Sequence, residues 1–87
     1  MSEERVLRDQ IRQVIDEHAR LAVPIATLDD RADLFSAGMT SHASVNVMLA
    51  LEDCFEVEFP ESMLRKSTFQ SVAAIDAALS ELQSVSA

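Results

Sequence analysis

Apolar residues recur at intervals of three and four along the first twenty positions of the chain. The positions that share this helical face are Leu7, Ile11, Val14 and Ile15. Charged residues occupy most of the intervening positions, which is the pattern of an amphipathic helix with one buried side. We predict a first helix over about residues 3–20, with Ser2 as its N-cap.

The helical pattern lapses between residues 21 and 40. Pro24, the pair Asp29–Asp30 and Gly38, which is the only glycine, interrupt a stretch of scattered apolar residues. We predict a long packed loop here. Loops of this length are uncommon in compact domains and are more often functional than accidental.

A second helix is predicted over about residues 41–56, since no helix breaker occurs before Pro60. We expect Val45, Met48 and Leu49 to point inward, together with Cys54 or Phe55. Val47 then falls on the solvent side of this helix.

Two further helices complete the predicted fold. A short one over about 61–66 follows Pro60, a residue suited to a helix start. A last one spans about 69–83, because Ser67 and Gln70 have the spacing of a capping box and apolar residues follow at helical intervals. With no alternating stretch of useful length, we predict an all-α fold, a small four-helix bundle whose third helix is short.

The amino-acid composition excludes several functional classes for this chain. The 87 residues suffice for one domain, 1–87, and include 15 acids against 7 basic residues, a net charge of -8. A lone cysteine with two distant histidines predicts neither a disulfide nor a metal site. Nucleic acid and membranes are not expected as partners, because the field of the chain repels anionic surfaces. The acidic N-terminus does not resemble a signal peptide, so we expect a cytoplasmic protein. We also expect it to be a monomer.

The negative charge is concentrated in the middle of the chain. Residues 29–61 hold eight acids and one base, Arg31. This acidic middle either faces basic partners or serves as a solvated surface.

The residues around Ser41 carry the candidate chemistry. Gly38 lies in the loop that delivers Ser41 to the first turn of the second helix, with Thr40 as the expected N-cap. Unpaired backbone N–H groups and the helix dipole at this end favour an attached phosphate ester. A serine at a helix start usually only caps the helix, so this signal is weak when taken alone.

The whole chain, however, resembles the acyl carrier protein family, including the peptidyl and aminoacyl carriers. The segments that carry the resemblance are DLFSAGMTS at 33–41, VNVMLALEDCFEVEFP at 45–60 and STFQSVAAI at 67–75. The resemblance implies that Ser41 accepts a 4'-phosphopantetheine arm from coenzyme A, and that the thiol of the arm carries an acyl group as a thioester. It also implies a protein without catalytic residues, modified by a phosphopantetheinyl transferase and loaded by an acyl or aminoacyl ligase or transferase.

Partner contacts in this family lie mainly on the helix after the serine. The candidate contacts here are Met39, His42, Val47, Glu52, Asp53 and Met63. The chain departs from the usual Asp-Ser-Leu triplet, since it has Thr40-Ser41-His42, and formal acids appear in this helix only from Glu52 onward. These departures favour a specialised carrier, which we also expect to be a stand-alone protein.

Three alternatives to a specialised acyl carrier remain open. The first is an aminoacyl carrier charged by a dedicated amino acid ligase. The second, from another class, is an unmodified helical adaptor whose acidic middle docks a basic partner. A small hydrolase using Ser41 has little support, because neighbouring helical residues such as His42 point about 100° away and supply no positioned base.

Overall fold

Three α-helices carry the fold in the computed structural model, which describes residues 3–85. They are α1 (Glu3–His18), α2 (Ser41–Phe55) and α3 (Val72–Val85). Short 3-10 turns occur at Ile25–Thr27, Glu61–Met63 and Lys66–Phe69, and residues 3–85 contain no strand. The predicted all-α class is confirmed. Ser2, the predicted cap of the first helix, lies outside the described residues.

The core forms where α1 packs against both α2 and α3. Ile11 and Ile15 of α1 are fully buried, and so are Ile75 and Leu79 of α3. Helix α1 ends at His18, two residues earlier than predicted, because Arg20 adopts a left-handed conformation with φ of 53°. The apolar faces of α1 and α3 are those that the periodicity predicts.

Helix α2 presents a different face to the core from the predicted one. Val47 is fully buried, whereas Val45 and Leu49 are 48% and 53% exposed. Cys54 is also exposed. The buried positions of α2 are Ala43, Val47 and Leu51, which lie four residues apart along a single stripe. Apolar residues occur on nearly every side of α2, so packing against α1 selects the buried stripe and periodicity alone does not.

The predicted short third helix occurs as the two 3-10 turns that precede α3. The last helix then begins at Val72 and not near residue 69. The carbonyl oxygen of Gln70 accepts a hydrogen bond from the Leu34 N–H at 2.7 Å, which ties this segment to the loop. Ser71 takes the capping role predicted for Ser67, since its Oγ accepts from the Ala74 N–H at 3.1 Å.

Asp30 anchors the middle of the long loop to both α1 and α3. Its carboxylate accepts hydrogen bonds from Arg12 at 2.6 Å and from Arg8 at 2.9 Å. Arg8 also pairs with the buried Asp76 of α3, and the Asp30 carbonyl oxygen accepts from the Ala73 N–H at 2.7 Å. The hydrogen bond from Arg12 outweighs the opposing effect of burial and lowers the pKa of Asp30. These contacts position the loop that leads to α2.

Candidate functional site

A tight turn over residues 33–38 brings the loop to the start of α2. The Asp33 carboxylate accepts hydrogen bonds from the Phe35 N–H at 2.9 Å and from the Ser36 hydroxyl at 3.1 Å. Partial desolvation raises the pKa of Asp33, but the hydrogen bonds from Ser36 and Phe35 prevail and lower it. Leu34 is buried in the core, so the turn is fixed from both sides.

Gly38 is required by the backbone of this turn. Its φ is +118°, and a Cβ at this position would lie 2.7 Å from the backbone nitrogen of Ala22. The next residue, Met39, is 3% exposed, so it is a core residue and not the surface contact that the sequence suggests. Its side chain holds the loop against the core immediately before α2 begins.

Thr40 caps α2 and leaves Ser41 as its first residue. The Thr40 Oγ1 accepts a hydrogen bond from the Ala43 N–H at 3.0 Å, as its place in the sequence predicts. Ser41 is exposed, and the first turn of α2 contains no acidic residue. The positive end of the helix dipole is therefore not neutralised by the helix itself, and this favours an anionic group attached to the Ser41 oxygen.

A groove of about 400 Å³ opens beside Ser41, between α2 and the 3-10 turns that precede α3. Its walls are mainly apolar, with two cationic side chains. The lining residues are Phe35, Ser41, Ser44, Val45, Met48, Leu64, Arg65, Lys66 and Phe69. Arg65, Lys66 and the exposed Leu64 were not among the residues that the sequence indicates, because they lie more than twenty positions from Ser41 along the chain. The sequence could have placed Val45 beside Ser41, because Val45 follows Ser41 by one helical turn.

The remaining predicted contact residues do not line the groove beside Ser41. His42 is exposed, whereas Val47 is buried and therefore is not available on the surface. The Glu52 carboxylate accepts a hydrogen bond from the Phe59 N–H at 2.9 Å, which gives it a structural role after α2. Met63 is half-buried against the core.

Asp53 lies on another side of α2. It is exposed and, together with Cys54, lines a second groove of about 610 Å³ between α1 and α2. This groove does not include Ser41. The acidic end of α2 and the start of α2 are thus separate surfaces.

Two further observations concern residues 3–85. Within this range, no three His, Cys, Asp or Glu side chains are grouped so that they could hold a metal ion. None of the described helices is long and apolar enough to cross a membrane.

Comparison with known proteins places these features in a family. Residues 7–75 match the family model described as a phosphopantetheine attachment site. An aminoacyl carrier protein from Agrobacterium fabrum is 41% identical over 66 residues, which cover 76% of this chain and 80% of that protein.

Solved structures agree with this match. One is the crystal structure of an engineered Bradyrhizobium japonicum glycine:carrier protein ligase complexed with carrier protein from Agrobacterium tumefaciens and ATP. A chain of it matches with a TM-score of 0.84 and 36% identity, over 86% of this chain and 97% of that one. A chain in the complex of the Bradyrhizobium japonicum ligase with glycylated carrier protein matches with a TM-score of 0.72 and 30% identity, over 84% and 97% of the two chains.

Proposed function

We propose that this chain, which belongs to the family of carrier proteins that hold a 4'-phosphopantetheine arm covalently, is an aminoacyl carrier protein with the arm on Ser41. Proteins of this family are carriers and not enzymes, so other proteins supply the catalysis. The observation that carries the proposal is the exposed Ser41 at the capped start of α2, inside the segment that matches the family.

The residues around Ser41 fit a phosphodiester. Thr40 fixes the first turn of α2, and the absence of acids from that turn leaves the helix N-terminus electropositive. A negative group at such an end is stabilised by about 0.3–1 kcal/mol when it is exposed to solvent. The turn at Gly38 and the buried Met39 hold Ser41 at the surface, where a transferase can reach its hydroxyl.

The cargo is inferred from the relatives. The Agrobacterium fabrum protein is an aminoacyl carrier, and one matched structure contains a glycylated carrier protein. An aminoacyl cargo, which is one of the alternatives that the sequence leaves open, is therefore better supported than the acyl cargo of a specialised acyl carrier. When the arm is bound, its terminal thiol holds the carboxyl group of the cargo as a thioester. The proposed partners are a phosphopantetheinyl transferase and an ATP-dependent amino acid ligase.

Attachment is tested by intact mass before and after incubation with coenzyme A and a broad-specificity phosphopantetheinyl transferase. We expect one phosphopantetheine on the wild type and none on Ser41→Ala. Ser44→Ala is the matched control, because Ser44 lies one turn further along α2 and its hydroxyl donates to the Ser41 carbonyl oxygen at 2.6 Å. Labelling of Ser41→Ala, or a folded wild type that stays unlabelled, would contradict the proposal and favour the unmodified adaptor.

Cargo is tested on the phosphopantetheinylated protein. It is incubated with ATP and purified Bradyrhizobium japonicum glycine:carrier protein ligase, with each amino acid in turn, and the mass is measured again. A parallel series uses fatty acids and an acyl carrier protein synthetase. Aminoacyl adducts that hydroxylamine releases as thioesters support the proposal, whereas loading by fatty acids alone would overturn it.

A further inference from the structure

The groove beside Ser41 is lined by two cationic side chains and by no acid, although the whole chain is acidic. The chain has a net charge of -8, yet the first turn of α2 has no acid. The acids of α2, Glu52 and Asp53, lie about 16 Å further along the helix axis. Arg65 and Lys66, which line the groove beside Ser41, are the only lysine or arginine residues after Arg31.

Both cations are held in place without being neutralised. The Arg65 Nε donates a hydrogen bond to the Ser62 carbonyl oxygen at 2.9 Å. The Lys66 Nζ lies 4.9 Å from the centre of the Phe35 ring, a cation–π contact that retains the charge. Neither forms an ion pair with a carboxylate of residues 3–85, although the chain holds 15 acids. Two fixed, exposed positive charges therefore remain for another molecule.

Exposed apolar side chains adjoin these cations. Val45 follows Ser41 by one turn of α2, and Leu64 lies across the groove. Both are large apolar residues that are about half exposed, at 48% and 49%. A contiguous apolar patch with fixed polar groups at its rim is typical of a protein contact surface.

We propose that the ligase that loads the arm on Ser41 docks on this surface. The ligase contributes apolar side chains flanked by carboxylates, and Arg65 and Lys66 bind these carboxylates. The inference rests on the proposed function and adds the chemical character of the partner. Charge complementarity selects an acidic partner surface, since basic groups would be repelled by the two cations that line this groove. A carrier that docked through Glu52 and Asp53 would instead require a basic enzyme surface.

Docking through Arg65 and Lys66 and docking through Glu52 and Asp53 predict opposite changes in KM for one substitution. Lys66→Glu should raise the KM of the phosphopantetheinylated carrier about tenfold in loading by Bradyrhizobium japonicum glycine:carrier protein ligase, with kcat at saturating carrier unchanged. Lys66→Arg should stay near the wild type. Arg20→Glu is the matched control, because it makes the same change in net charge at an exposed position beyond the end of α1, and we expect less than about a twofold change.

Salt and a second substitution complete the test. The KM of the wild type should rise with sodium chloride, and that of Lys66→Glu should respond less. Asp53→Lys should leave KM near the wild-type value. An unchanged or lower KM for Lys66→Glu, or a strong loss for Asp53→Lys, would overturn the inference while leaving the carrier role intact. Failure of the carrier role is a different result, namely no phosphopantetheine or no loading of the wild type at any concentration.

Discussion

Val45 and Val47 lie two residues apart on α2 and differ mainly in exposure, at 48% and 0%. The substitutions Val45→Ala and Val47→Ala remove the same two methyl groups and gain the same helix propensity. Their difference in stability therefore isolates the effect of burial. It also tests the orientation of α2, which is the element that places Ser41 and the groove.

The magnitude follows from the burial of each side chain. Two fully buried methyl groups correspond to about 1.6 kcal/mol of transfer free energy. The cavity left behind adds about 0.8 kcal/mol, and the change to alanine returns about 0.5 kcal/mol of helix propensity. We expect Val47→Ala to lower the free energy of unfolding by about 2 kcal/mol. Val45→Ala loses about half the transfer term and no cavity term, so it should lie within about 0.5 kcal/mol of the wild type.

The assay is urea unfolding followed by circular dichroism at 222 nm, with the slope m compared between variants to exclude a change in the unfolded state. For a domain of this size, a loss of about 2 kcal/mol lowers Tm by about 8–16 °C. The kinetics of loading by the ligase measure the effect of each substitution on docking instead of on stability. Below its Tm, Val47→Ala should keep the wild-type KM, whereas Val45→Ala should raise it because Val45 lies on the docking surface.

The reasoning is refuted if Val45→Ala destabilises as much as Val47→Ala. That result would show that the burial of Val47 contributes nothing to the stability of the core. The reverse order, with Val45→Ala the more destabilised, would restore the face that periodicity suggests.

Three other predictions follow from the contacts that lead to Ser41. Thr40→Ala removes the cap of α2 and should cost about 1 kcal/mol in unfolding free energy, while Thr40→Ser should retain most of it. Gly38→Ala forces alanine to a φ of +118° against Ala22 and should cost about 1–3 kcal/mol, measured by thermal unfolding. Asp30→Asn weakens the bonds from two arginines and should cost about 1–2 kcal/mol after solvent screening. Because the folded-state pKa of Asp30 is lowered from 3.8, the wild-type advantage should be complete above that pH and should shrink as the pH falls below it; an advantage that does not change on acidification would contradict this assignment.

The sequence predicts the buried faces of α1 and α3 well because small or polar residues separate their large apolar positions. Arg8 and Arg12 divide the buried face of α1 from its polar face, so only one orientation hides the apolar side chains. In α2, no such arrangement of residues marks the buried face. Val45 and Val47 are chemically identical, and only the tertiary packing decides which of them is buried.

The start of α2 is predictable for a local reason, and its surroundings are not. Gly38 and Thr40 act through backbone geometry within a few residues, which sequence patterns record. Arg65 and Lys66 share a groove with Ser41 because the segment before α3 folds back onto the loop, where the Leu34 N–H donates to the Gln70 carbonyl oxygen. A contact between segments so far apart leaves no periodic signal in the chain.

The anchoring of Asp30 also has an engineering consequence. Asp30 fixes the loop near its midpoint, to α1 through its carboxylate and to α3 through its carbonyl oxygen. It therefore divides one long connection into two short spans, one before and one after residue 30. Only the second span ends at Ser41. Within the first span, the Ala22 N–H donates a hydrogen bond to the Ala37 carbonyl oxygen at 2.9 Å, so a peptide tag should be inserted beyond it, at the exposed Ala26. There it lengthens a segment whose two ends are separately fixed, and closure entropy changes slowly with length. The first span is therefore the place to graft a tag or fluorophore without displacing the serine.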